Sequence, residues 1–261
     1  MDLGLKGKRA VVTAASKGLG RAIALRLAEE GVEVAICARG AETLERTKDD
    51  VQKAGGRVFS ATADLADEKQ IKDFIAAAAK QLGGIDILVN NAGGPKPGKF
   101  GDLSEADWGN AFNLTFMSVL RLCHEVIPHM RKRGAGKIIN LSSLSVRQPL
   151  EGLMSSNSIR LAVMGFAKSL ADELAPENIT VNTVCPGFSL TDRLKDYMAT
   201  IAKRENSSVE DVMKGFAARI PMRRLAEPEN VADVVVFLAS ERAGYLTGLC
   251  IPVDGGTARA Y

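Results

Sequence analysis

The sequence predicts an α/β fold, a single doubly wound parallel sheet of about seven strands with helices on both faces. Three observations predict it. Short apolar runs of strand length recur along the chain, stretches with apolar residues three and four apart separate them, and a glycine-rich turn joins the first run to the first helical stretch. Strands that alternate with helices imply right-handed crossovers, and these make the sheet parallel.

The strand runs cover residues 9–14, 32–38, 57–61, 85–90, 137–141, 180–184 and 249–253. The helical stretches between them cover residues 18–30, 41–54, 68–82, 105–132, 153–174 and 230–239. One long interruption falls between Pro186 and Pro228, where residues 197–215 are helical in pattern but carry a polar segment at 203–208. It follows the carboxyl end of a strand, where open α/β sheets place ligands, so residues 187–227 are expected to form a helical substrate lid. With no internal repeat and no low-complexity linker, residues 1–261 are expected to form one domain.

The composition narrows the function classes. With 46% hydrophobic residues the chain can bury a large core. Thirty-four basic against 31 acidic residues leave a net charge of +3, too weak to imply nucleic-acid or membrane binding, and neither partner is expected. The tightest basic cluster, Arg131, Lys132 and Arg133, stands just before Gly134, where cations complement a helix C-terminus. The four cysteines, Cys37, Cys123, Cys185 and Cys250, follow no metal-ligand spacing and read as reduced core thiols, with no metal expected. No apolar stretch nears the roughly 18 residues of a membrane span, and the N-terminus lacks a leader pattern, so a cytoplasmic protein is expected.

The first strand run leads into Thr13, Ala14, Ala15, Ser16, Lys17, Gly18, Leu19 and Gly20, and a helix starts at once. Glycines in such a turn let backbone N–H groups approach a pyrophosphate seated on the positive end of the helix. The second strand run ends at Ala38 and Arg39 with no acid at its tip. An acid there would grip a ribose 2′-hydroxyl, whereas a cation accommodates a 2′-phosphate, so Arg39 together with Lys17 favours NADP(H). Glu42 lies close enough to keep NAD(H) as the second candidate.

The turn resembles the TGxxxGxG turn of the short-chain dehydrogenases/reductases, with Ala14 in place of the first glycine. Asp64-Leu65, Asn90-Asn91-Ala92-Gly93, Pro186-Gly187 with Thr191, and Val253-Asp254-Gly255-Gly256 extend the resemblance over nearly the whole chain, in the pattern of the 3-oxoacyl-(acyl carrier protein) reductases. The resemblance implies a Rossmann-type fold in which Asp64 and Leu65 contact adenine. It also implies that Asn91, Ala92 and Gly93 line the adenosine ribose, and that Pro186, Ser189 and Thr191 pass the nicotinamide carboxamide.

The resemblance further implies a catalytic tyrosine, a lysine four residues later, a serine on the substrate carbonyl and an upstream asparagine. The serine is present as Ser143. Thirteen residues on, Ser156 stands in the tyrosine's place and Arg160 in the lysine's, while the asparagine's place, seven residues after Trp108, holds Thr115. Asn113 is two positions early and on another helix face. The register holds through residues 165–173, and no tyrosine precedes Tyr197. A serine hydroxyl is a far weaker acid than a phenol, and arginine keeps its charge but gives no proton away. A guanidinium at position 160 can still hold ribose hydroxyls, a phosphate or a substrate carboxylate. His124 and His129, five apart on one helical stretch, share no face and have no partner for a triad or a metal.

The expected function is an NADP-preferring oxidoreductase that acts on a small-molecule ketone or alcohol with atypical proton delivery. The alternative is a nicotinamide-binding regulatory or structural protein without turnover. A cofactor-independent lyase, which Arg160 would suit, fits poorly with the retained Gly18 and Gly20. By resemblance the stretches at 105–132 and 153–174 pack across two-fold axes into a homodimer or homotetramer.

Overall fold

The computed structural model describes residues 2–259. Seven strands form one sheet in the order β3-β2-β1-β4-β5-β6-β7. They are β1 (Arg9–Val12), β2 (Glu33–Ala38), β3 (Val58–Thr62), β4 (Ile87–Asn90), β5 (Gly136–Leu141), β6 (Ile179–Pro186) and β7 (Cys250–Val253), and every pairing is parallel. The expected sheet and strand number are therefore present.

Strand residues alternate between two cores because successive side chains leave opposite faces. Ala10, Val12, Val34 and Ile36 pack against α1 (Gly18–Glu29), α2 (Ala41–Lys53) and α9 (Pro228–Ala239). Val11, Ala35, Cys37 and Leu88 pack against α3 (Glu68–Leu82), α5 (Ser118–Arg133) and α6 (Met154–Leu174). Both faces are covered, which is why the strands read as continuous apolar runs. The chain leaves β1 toward β2 and β3, then returns to β4 on β1's other side, so the strand order reverses between β1 and β4. A crevice opens at their carboxyl ends, where such sheets bind ligands.

Three expectations need correction. The first strand ends at Val12 instead of residue 14. The Thr13 hydroxyl turns to the Asn91 carbonyl at 2.7 Å, and Ala14 enters the left-handed region at φ +48°. The stretch at 105–132 is not one regular helix. It comprises α4 (Glu105–Phe112), a π turn over Asn113–Met117, and α5, with Ser118 Oγ bonding back to the Leu114 carbonyl at 2.5 Å. In the 187–227 segment, helix begins at Asp192, earlier than the pattern at 197, and forms α7 (Asp192–Glu205) and α8 (Val209–Arg219). The polar 203–208 segment is their junction, where Asn206 sits at φ +50° and the Ser208 hydroxyl caps α8 by accepting the Asp211 amide. Met198, Ala202, Val212, Ile220 and Leu225 give this segment a small apolar core of its own.

The basic cluster does end α5. Gly134 follows it at φ +72°, Arg131 makes two bonds to Glu177 at 2.6 and 2.7 Å, and Arg133 pairs with Asp86. Among the described residues no helix is long and apolar enough to cross a membrane.

Candidate active site and dinucleotide cleft

The glycine-rich turn is wired to the end of β4. Asn91 donates from its backbone to Thr13 Oγ1 at 3.0 Å and from Nδ2 to the Thr13 and Ala14 carbonyls at 3.2 Å each. The Ser16 carbonyl accepts the buried Thr47 hydroxyl of α2 at 3.1 Å, so the turn is also held from the other side. Gly18 needs its φ of +56°, which a side chain would strain. Gly20 is required by proximity instead. A Cβ there would lie 2.5 Å from the Ala14 carbonyl oxygen and 2.7 Å from Asn91 Nδ2.

No side chain caps α1 at Lys17, and no acid occupies its first turn. That leaves a positive helix end with N–H groups directed out of the turn, the environment a pyrophosphate requires. Across the crevice, Thr191 caps α7 and brings its methyl group against Gly18. Pro186 is buried at the end of β6, and Ser189 is 6% exposed with an Oγ that has no hydrogen-bond partner. A buried hydroxyl without a partner, beside the turn that would hold the dinucleotide, fits a carboxamide-bearing ring.

Asp64 and the buried Leu65 follow β3, where the Ala63 amide donates to the Ala38 carbonyl at the tip of β2. Asp64 Oδ1 accepts the Ala66 amide at 3.0 Å. Leu19, Ala92 and Gly93 lie at the rims of the same crevice, with Leu19 packed against the α1 core and Ala92 against the opposite one. Arg39 and Lys17 are exposed, and among the described residues neither is in an ion pair. Glu42 is tied to Arg46 at 2.6 Å along α2.

Beyond β5, Ser143 caps a short 3-10 turn. Its Oγ accepts the Ser145 amide at 3.1 Å, which leaves its proton free to donate. Ser156 and Arg160, one turn apart on α6, share a face. Arg160 Nε donates to Ser156 Oγ at 3.2 Å, and Nη1 reaches the Leu141 carbonyl at 3.1 Å. Burial, then the neighbouring Arg193 charge, push Arg160 down to about 10, so the guanidinium stays charged at neutral pH. Arg193 leans over Gly94 and donates to the Pro95 carbonyl at 3.4 Å.

Thr115 lies in the π turn and is 4% exposed. It faces a cavity of about 10 Å³, room for about one water, lined also by Asn90, Ser118, Ser142 and Arg160. Thr115 Oγ1, Ser142 Oγ and Asn90 Oδ1 are buried there without partners. Asn113 does face elsewhere, donating to the Ala66 carbonyl and accepting from Arg121, both at 2.8 Å. A larger cavity of about 230 Å³, lined by Phe188 and Met222 of the 187–227 segment with Asp233 and Asp254, touches none of the predicted catalytic or cofactor-binding residues.

Arg160 thus links Thr115, Ser156 and the carbonyl of Leu141 at the end of β5, with Ser143 two residues further along the chain. The histidines are not part of the group. His124 is 82% exposed at its side chain beside Glu125, and burial lowers His129 on the outer part of α5. Among the described residues no three His, Cys, Asp or Glu side chains are grouped as metal ligands. Sequence reasoning missed Thr47, Arg193 and the buried Asn90–Asn140 bond of 2.8 Å. The last follows from the fold, whose β4–β5 register sets the two asparagines opposite each other.

Known proteins agree with this geometry. A family model described as Enoyl-(Acyl carrier protein) reductase matches residues 13–258. The chain is 34% identical over 250 residues to 3-oxoacyl-[acyl-carrier-protein] reductase FabG of Staphylococcus epidermidis, covering 95% of this chain and 98% of the relative. It is 32% identical over 255 residues to the 7alpha-hydroxysteroid dehydrogenase of Escherichia coli, covering 98% and 96%. The structure of L-sorbose reductase from Gluconobacter frateurii complexed with NADPH and L-sorbose superposes with a TM-score of 0.96 at 34% identity, covering 100% of both chains. With the crevice, the glycine turn and this likeness along its whole length, the chain belongs to the short-chain dehydrogenase/reductase family of nicotinamide-dependent oxidoreductases.

Proposed function

We propose that the chain is an NADP(H)-preferring oxidoreductase that reduces a ketone, 3-oxoacyl or other, or oxidises the corresponding alcohol, without a tyrosine as proton donor. The observation that carries this reading is that Arg160, charged and held by Ser156, is anchored to the carbonyl of Leu141, the last residue of β5, two residues before Ser143 with its uncommitted proton. A bound nicotinamide supplies or accepts the hydride. Ser143 donates its O–H to the carbonyl oxygen, and Arg160 places a fixed positive charge where negative charge develops. In this reading a water in the small cavity lined by Thr115, Arg160 and Ser142, the neighbour of Ser143 in sequence, replaces the proton. The 187–227 segment closes over the substrate as a lid in this reading.

Ser143→Ala tests it. The variant is expected to bind NADPH as the native chain does, yet to reduce ketones about 10²–10³-fold more slowly, the usual cost of one donor at a developing oxyanion. Ketone reduction untouched by the substitution would remove Ser143 from the mechanism. One observation favours the second reading, a nicotinamide-binding protein without turnover: positions 156 and 160 hold no group that releases a proton at neutral pH. Tight NADPH binding with no oxidation across a broad ketone panel would select it.

The cofactor preference rests on Arg39 and Lys17, exposed and outside ion pairs among the described residues, and is supported by the NADPH of the sorbose reductase complex. NAD(H) stays the second candidate. A charge-assisted bond contributes about 1.5–3 kcal/mol, so Arg39→Asp is expected to weaken NADPH about 10- to 100-fold in a fluorescence titration and to favour NADH. Melting should shift little, because the site is exposed. Unchanged discrimination would place the 2′-phosphate elsewhere. For assembly we propose a homodimer or homotetramer through the α4–α6 surface, where Phe112 and Leu161 are 44% and 51% exposed.

A further inference from the structure

Cys185 stands near the end of β6 and Cys250 at the start of β7, 65 residues apart in sequence. The register pairs Cys250 with Thr183, which lies on the same face of β6 as Cys185. Both thiols therefore point to one side of the sheet, beneath α6, and their sulfurs lie 3.2 Å apart. A disulfide spans about 2.05 Å, so closure asks for about 1 Å of approach from that separation. The strand that must give is β7, at the edge of the sheet and paired on one side only.

The surroundings divide the roles between the two thiols. Cys185 is buried near the Ser143 backbone. Cys250 is half-buried, so small oxidants can reach it. Arg147 donates to its carbonyl at 2.9 Å and brings its positive charge near the sulfur. The contact with the Cys185 sulfur, with the Arg147 charge, lowers Cys250, whereas the same contact and burial raise Cys185. Arg160 is the other charge that bears on Cys185, and Met164 Sδ lies 3.8 Å from Cys250. The remaining thiols, Cys37 and Cys123, are pushed up to about 12 by burial and are inert.

We propose that Cys185 and Cys250 form a reversible oxidation site, at which a peroxide closes them into an intrachain disulfide that ties β6 to β7. The Cys250 thiolate attacks one peroxide oxygen. The O–O bond breaks, hydroxide leaves with the electron pair, and Cys250 becomes a sulfenic acid. Cys185 gives its proton to hydroxide, and its sulfur attacks the Cys250 sulfur and expels the second hydroxide, which takes up a proton as water. Two thiols are oxidised by two electrons and one peroxide is reduced to two waters. A dithiol reverses the step by exchange. The sulfur that enters the bond lies near the Ser143 backbone, so oxidation bears on the segment that carries the candidate catalytic serine.

Peptide mapping tests the proposal without relying on any activity. Native protein is treated with hydrogen peroxide, free thiols are blocked with N-ethylmaleimide, and the digest is read by mass spectrometry. The expected result is one cross-linked peptide pair joining Cys185 to Cys250, lost after dithiothreitol, with Cys37 and Cys123 recovered in blocked form. In Cys185→Ser the oxidation should stop at a Cys250 sulfenic acid that dimedone traps, and in Cys250→Ser residue 185 should remain a thiol. Over-oxidation of Cys250 to sulfinic acid beside a free Cys185, or recovery of all four thiols, overturns the proposal on the native protein alone, whether or not the variants fold.

Discussion

The Ser156→Tyr/Arg160→Lys double variant is expected to reduce ketones with NADPH about 10²–10⁴-fold faster than the native chain, the range that one well-placed general acid contributes. A phenol titrates near 10 in isolation and becomes a usable acid near neutrality when an ammonium lies beside it. Native Ser156 offers only a short hydroxyl that accepts from Arg160 Nε at 3.2 Å, and Arg160, held at about 10, keeps its proton. Both changes are needed. A tyrosine alone would have to displace a guanidinium anchored to the Leu141 carbonyl, so the single Ser156→Tyr variant should gain much less. The measurement is NADPH oxidation at saturating cofactor over a panel of 3-oxoacyl thioesters and simple ketones. If the double variant binds NADPH yet turns over no faster than the native chain, positions 156 and 160 do not face the reacting carbonyl.

These two positions also show what a sequence exposes and what it hides. Ser156 and Arg160 are legible through the family resemblance, which gives their places, and their pairing follows because residues four apart on a helix share a face. The sheet is legible for a similar reason: strands buried on both faces must be continuously apolar, as in Val34–Cys37, where alternate residues feed two different cores. The π turn at Asn113–Met117 is not. It leaves the apolar spacing of the flanking helices nearly unchanged, so the break between α4 and α5 has no mark in the residues. Equally hidden are contacts that depend on strand order, since β6 and β7 become neighbours only after an intervening helical segment has folded. Cys185 and Cys250, which read as separate core thiols, meet for that reason. Arg193 escaped because the periodicity of α7 becomes evident only from Tyr197 onward, whereas the Thr191 cap starts the helix at Asp192.

Gly20→Val should abolish nucleotide binding and destabilise the fold by about 2–4 kcal/mol, at the upper end of what overpacking costs. The added Cβ would stand 2.5 Å from the Ala14 carbonyl oxygen, 2.7 Å from Asn91 Nδ2 and 2.9 Å from Ala15 Cα. Two of these are backbone atoms of the turn, and the third holds the turn to β4 by bonding the Thr13 and Ala14 carbonyls. None is the loose end of a flexible side chain, so α1 and the turn must separate. Ala14 already occupies the left-handed region at φ +48°, which costs a non-glycine residue about 1–2 kcal/mol, and the turn has little freedom to absorb more. Gly215→Ala is the matching control. Gly215 lies inside α8 with nothing within 4 Å of its would-be Cβ, so the substitution should stabilise by about 0.5–1 kcal/mol through helix propensity alone. Thermal melts and NADPH titrations on the two variants should move in opposite directions for stability, with binding lost only at position 20. A Gly20→Val protein that melts like the native chain and still binds NADPH would mean that the turn does not hold the dinucleotide.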